Sequence, residues 1–187
     1  MTESGGLSDL ISSGEKEGKF YGKYRGMVLQ NIDPLFLGRI QVQVPGVVML
    51  PSTWAVPCVP FAGKMSGMYV VPQIGAGVWV EFEQGDPDYP IWVGGFWGST
   101  PEVPPMATVP PPIPPGQNVV IQTTLSNMLL ISDSAPTPVS GGIVLKSPTG
   151  AMIVVNDSGI YIDNGKGASI MMVGPTITVN NGALVIT

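Results

Sequence analysis

Histidine is missing from all 187 residues, and cysteine occurs once, at Cys58. The first absence removes His-containing triads, imidazole acid–base chemistry and His metal sites. The second removes any intrachain disulfide and any cysteine cluster for zinc. Catalytic, cofactor and metal residues are therefore expected to be none. Cys58 itself reads as a small buried apolar side chain, with a reactive thiol as the rival reading. Charge is scarce as well: 11% of residues carry one, against about a quarter in an ordinary soluble domain. Eight Lys and Arg against thirteen Asp and Glu leave a net charge of -5, so no basic groove can track phosphates and nucleic-acid binding is not expected. A surface so poor in charge suits a subunit of an assembly better than a free monomer. No apolar run reaches 18 residues, and residues 1–11, "MTESGGLSDLI", lack the basic start and apolar core of a signal peptide. The expectation is synthesis in the cytoplasm without a signal peptide.

What the sequence has in excess is glycine, at 25 residues, and proline, at 20. Their placement divides the chain into four segments. Residues 1–19 are a polar Gly/Ser-rich arm with a weak apolar patch at Leu7, Leu10 and Ile11, which reads as a short helix, a docking arm or a disordered tail. Residues 20–100 read as short strands between turns: "YRGMVLQN", "GRIQVQVP", "TWAVPCVPF", "GVWVEFEQG" and "YPIWVGGFWG". Alternation puts Ile40, Val42 and Val44 on one face of the second, and Val78, Val80 and Phe82 on one face of the fourth. Five such strands in about eighty residues fit a small barrel of the OB type. Residues 101–116 form a proline-rich linker, expected to be extended because proline cannot donate to a ladder. Residues 117–187 hold eight apolar strands of about five residues: "NVVIQT", "NMLLIS", "GIVLKS", "AMIVVN", "GIYIDN", "ASIMMV", "TITVN" and "ALVIT". The fold class is all-β.

The last segment cannot stand alone as one sheet. Each aliphatic side chain left in water forfeits about 1.5–3 kcal/mol of burial, so a dozen would forfeit tens of kcal/mol, beyond a domain's net stability. A single-chain solenoid uses roughly twenty residues per coil, too many for this length to give more than a few coils with open ends. Three copies giving short strands to each layer would close a triangular prism without lateral edges. The preferred solution is a homotrimer whose core is formed by Ile143, Leu145, Ile160, Ile162, Ile170, Met172, Ile177 and Val179, with Tyr161 and Asp163 on the opposite parity. Met171 and Met172 fall on opposite faces.

The strings "GRIQVQVPG", "WAVPCVPFAG" and "VPQIGAGVWVEFEQGDPDYPIWVGGFWG" (residues 38–46, 54–63 and 71–98), followed by strands ending in "NNGAL", resemble the central spike of contractile injection machines, the phage baseplate assembly protein V and VgrG type. The residues carrying the OB part are Gly38, Arg39, Gly77, Trp79, Gly85, Asp86, Pro87, Asp88, Trp92 and Gly94. The resemblance implies an OB-fold barrel followed by an intertwined trimeric β-helix needle. It implies a non-enzymatic homotrimer at the tip of the inner tube, assembled into the baseplate of a phage or phage-tail-like particle, that punctures the target envelope on sheath contraction and meets the target membrane transiently. Contacts with tube and baseplate would be indirect. Relatives that carry a lysozyme domain hold it where this chain has only the proline-rich linker, and VgrG proteins fuse a hub ahead of the barrel, so a separate hub protein is implied. A His-x-His iron apex is impossible here. The C-terminal residues Asn180, Asn181, Gly182, Ala183, Leu184, Val185, Ile186 and Thr187 would instead form a platform for a PAAR-repeat tip protein. The alternative is a tail-associated carbohydrate- or oligonucleotide-binding OB protein with a passive β stalk.

Single residues have plainer readings. Asp86 and Asp88 flank a proline and read as a turn rather than a paired-carboxylate or metal site. Glu81 and Glu83 read as a solvated face. Trp79, Trp92, Trp97 and Phe96 read as core packing or barrel–barrel contacts rather than a base-stacking platform. Arg39 reads as a structural ion pair or a hub contact.

Overall fold

The structure, a computed structural model, describes residues 18–107, 118–133 and 141–186. It divides into two compact units, Met1–Gly98 and Ser99–Thr187. The arm over residues 1–17, linker residues 108–116 and Thr187 lie outside the described residues.

The first unit is built from β1 (Tyr24–Gln30), β2 (Gln41–Gln43), β3 (Val56–Pro57), a small hairpin of β4 (Ala62–Gly63) and β5 (Ser66–Gly67), then β6 (Gly77–Phe82) and β7 (Pro90–Phe96). Five of them form one sheet in the order β2-β1-β6-β7-β3, antiparallel except for β3 beside β7. The ring closes just outside the named strands, where Ala55 exchanges both backbone hydrogen bonds with Ile40 (2.7 and 3.2 Å). Strand alternation then points one residue set inward. Ile40, Val42, Val44, Val28, Val78 and Val80 are fully buried with Ala55, and Phe82 and Trp92 complete the core. The faces expected from the sequence for β2 and β6 are the faces observed. Gly26 is also inward, because a Cβ there would lie 3.0 Å from the Val80 side chain. Pro90 opens β7, the strand position where a missing N–H is tolerated.

Cys58 corrects the sequence reading. It is exposed, because alternation from inward Ala55 puts Val56 outside, Pro57 toward the barrel and Cys58 outside again. Its backbone N–H still donates to the Trp92 carbonyl (2.9 Å).

The second unit is a single antiparallel meander. Its strands are β8 (Asn118–Gln122), β9 (Met128–Ser132), β10 (Gly142–Lys146), β11 (Met152–Asn156), β12 (Gly159–Asp163), β13 (Ser169–Val173), β14 (Thr176–Val179) and β15 (Leu184–Ile186). They pair strictly in chain order. These eight are the strands expected from the sequence. Side-chain carbonyls fix the tight turns: Asn156 Oδ1 accepts the N–H groups of Ser158 and Gly159 (2.9 and 3.1 Å), and Asn164 Oδ1 those of Lys166 and Ala168 (2.8 and 3.0 Å). Among the described residues no helix is long and apolar enough to cross a membrane.

Candidate assembly surface

Register across the meander aligns its aliphatic residues into rows. One row contains Val119, Ile131, Ile143, Val155, Ile160, Met172, Ile177 and Ile186, one from each strand. A second, two residues along, contains Ile121, Leu129, Leu145, Ile153, Ile162, Ile170, Val179 and Leu184. No polar residue interrupts either row. Both lie on the same face, and it is bare: Ile121 is 60% exposed, Leu145 49% and Ile170 39%. On the opposite face Leu130, Val144 and Val154 are buried, with Met106 and Tyr161 packed against them. The opposite face is thus buried within the chain over β9, β10 and β11, while the face that carries the rows is open. Sixteen aliphatic side chains, each roughly half buried, leave on the order of 10–20 kcal/mol of burial unrealised, as much as the whole net stability of a domain.

All eight residues expected in the trimer core lie in these two rows. The sequence reading missed Val119, Ile121, Leu129, Ile131, Ile153 and Val155, and it assigned Leu184 and Ile186 to the terminal platform although they also end the rows. Within that platform Asn180, Asn181 and Gly182 turn the chain at positive φ (48°, 54° and 104°). The Asn180 side chain is structural, its Oδ1 accepting the Ser169 N–H (3.0 Å). Ala183 donates to the Asn180 carbonyl (3.3 Å), and Leu184 is exposed. Val185 pairs with Thr178 through its backbone.

In the barrel the residues singled out by sequence shape loops and hold strands together. Asp33, buried at 4% exposure, organises the loop from β1 to β2. Its carboxylate accepts the N–H groups of Leu35 (3.0 Å), Leu37 (2.9 Å) and Arg39 (3.3 Å), and both the Nε (3.0 Å) and Nη2 (2.6 Å) of Arg39. The Arg39 guanidinium, helped by the three backbone donors, holds the Asp33 carboxyl well below the usual carboxylate range against the opposing effect of burial, and Asp33 raises Arg39 in turn. Arg39 also lies over the Trp54 ring (5.6 Å). Gly38 sits beside this pair at φ +76° with its carbonyl accepting Trp92 Nε1–H (3.2 Å), and a Cβ there would press on the Tyr69 ring at 3.3 Å.

Gly77 faces Phe96, whose ring fills the space a side chain would need (2.8 Å from a Cβ). That ring meets Trp79 at a tilt of 49° (centroids 5.1 Å apart), and Arg25 lies over both (5.2 and 5.3 Å). Gly94 lies opposite Trp79 at a register shift of β7 against β6. The stretch from Gly85 to Asp88 is a turn: Asp86 Oδ1 accepts the Asp88 N–H (3.1 Å), and Gly85 offers its carbonyl to the Phe20 N–H (2.7 Å). Lys19, 3.0 Å away, and the Asp88 N–H lower the Asp86 carboxyl. Pro87 completes the turn. Glu81 pairs with Lys23 (2.8 Å) on the outer face, while Glu83 lies in the turn after β6. Trp92 is in the core and Trp97 is exposed. Among the described residues no three His, Cys, Asp or Glu side chains gather as metal ligands would.

Two family models match the chain. Residues 24–97 match the type VI secretion system/phage-baseplate injector OB domain. Residues 118–185 match the phage baseplate V C-terminal trimerisation domain, and this span is the meander with its bare face. The chain belongs to the phage baseplate V family of spike proteins. The two matches together cover about three quarters of its residues, in the order barrel then trimerisation domain. A search of curated proteins found no match to the chain. Both matched domains are parts of a baseplate protein, and the barrel described above is the fold that the OB match implies.

Proposed function

We propose that three copies of this chain assemble into the rigid spike of a contractile injection particle, with the two aliphatic rows of each meander turned toward a common axis as a triangular prism. The observation that carries this reading is the unbroken pair of rows on one open face, in the segment that matches a trimerisation domain. A chain with eight short strands and an open apolar face gains stability when copies close that face, and it gains stiffness at the same time. The spike works mechanically and carries no active site: sheath contraction supplies the force and the prism delivers it to the target envelope. A separate hub protein joins it to the inner tube. A PAAR-type tip protein docks at residues 180–187, where Leu184 and Ile186 end both rows on the last strand.

Analytical ultracentrifugation of the purified full chain tests the assembly, with a mass three times that of the chain expected at micromolar concentration. A monomer would overturn it. Electron microscopy of the intact particle, with the spike on the tube axis, tests the location.

A further inference from the structure

The barrel carries an open apolar surface of its own. Strand directions place the ends of β1, β3 and β7 together with the beginnings of β2 and β6. The loops at that end include residues 31–39 and 58–76, and the chain leaves the barrel there after Phe96. Leu35, Phe36 and Leu37 stand out from the first loop, and Met65, Met68 and Tyr69 from the second, with Met65 at 99% exposure and Phe36 at 81%. Together these six present apolar area on the order of 800 Å², the amount one partner contributes to a standard stable interface and more than a monomer ordinarily leaves in one patch.

The first loop is rigid as well as apolar. Phe36 holds a positive φ of 55°, uncommon for a large side chain. Asp33 holds it there by accepting the N–H groups on either side, from Leu35 and Leu37, while its own carbonyl accepts that of Phe36 (3.0 Å). A loop fixed by a buried ion pair so that three large apolar side chains point into water has already lost the entropy that docking would otherwise remove.

We infer that this cap is an interface between copies of the chain, the cap of one barrel packing on the barrels of its neighbours in the trimer. The inference rests on the homotrimer proposed above. It follows from where the chain leaves the barrel: the segment leading to the trimerisation domain starts at the same end as the cap. Three barrels joined at that end to one trimerisation domain are held near one another at about millimolar effective concentration. A second copy is therefore the partner always at hand for this surface.

Peroxide footprinting of the full-length assembly, read by peptide mass spectrometry, tests it. Met49 serves as the internal reference, being 66% exposed in the turn after β2 at the other end of the barrel. In the wild-type trimer Met65 and Met68 should oxidise at least tenfold more slowly than Met49, and in Phe36→Asp they should approach its rate while the trimer mass is retained. Equal rates at Met65 and Met49 in the wild-type trimer would overturn the inference alone and leave the cap to a different protein. Protection that persists unchanged in Phe36→Asp would overturn it too. A monomeric wild-type chain would overturn both this inference and the homotrimer, so the two failures are told apart by mass.

Discussion

Asp33 and Arg39 meet through two parallel contacts, Nη2 to Oδ1 at 2.6 Å and Nε to Oδ2 at 3.0 Å, within one loop of the barrel. The same carboxylate collects three backbone N–H groups, so its ionised form is built into the loop. The Asp33 carboxyl lies well below the usual range in the folded chain, whereas an unfolded Asp titrates at about 3.9. Its contribution to stability is thus present above about pH 4 and is lost as the pH falls further. Tryptophan-monitored urea unfolding at pH 7 and at pH 3 should show a lower midpoint at pH 3 for the wild type, with the greater part of the Asp33 contribution lost only at still lower pH. Asp33→Asn should be less stable at pH 7 and change less between the two. Parallel pH profiles for the two proteins would refute the assignment.

Ile162 sits in the second aliphatic row between Ile153 and Ile170. Ile162→Asp would bury one unpaired carboxylate per chain in the closed face, at a cost of at least about 3 kcal/mol each, and should abolish the trimer in ultracentrifugation. Lys146→Glu, at an exposed position that ends β10 on the face away from the rows, should leave the trimer mass unchanged. If the two variants behave alike, the open face is not the one that closes.

How much of this was readable in sequence depended on contrast between alternate positions. In "GIYIDN" the partners of Ile160 and Ile162 are Tyr161 and Asp163, so a period of two exposes the parity. In "NMLLIS" and "AMIVVN" every central position is apolar, and only pairing with the neighbouring strand assigns Leu129, Ile131, Ile153 and Val155 to the open face. The barrel core on β2 and β6 was legible for the same reason of contrast. Asp33 was not: Asp-Pro reads merely as the start of a turn, and its bonds to residues two to six positions ahead depend on the loop path. Cys58 was misjudged from the burial habit of its residue type, where counting parity from Ala55 would have put it outside.

That exposed thiol gives a direct measurement. Cys58 stands on the outer side at the end of β3, so the native chain should react with a small disulfide reagent at one thiol per chain, without denaturant and at a rate close to that of an exposed cysteine. A reaction that waits for denaturant would mean that assembly covers this side of the barrel.

Phe96 lies over Gly77 as one of the pairs joining β6 to β7, and its ring belongs to the cluster that includes Trp79 and Arg25. Any side chain at position 77 must displace that ring, since even a Cβ would lie 2.8 Å from two of its carbons. Gly77→Val should therefore lower barrel stability by about 1–3 kcal/mol, the usual range for forced overpacking, together with the loss of the Arg25 contacts. Gly77→Val combined with Phe96→Ala should recover part of that loss, because the smaller residue vacates the space the valine needs. The comparison isolates the ring as the cause: if the double variant is as unstable as the sum of the two single ones, the glycine serves some other need of the strand.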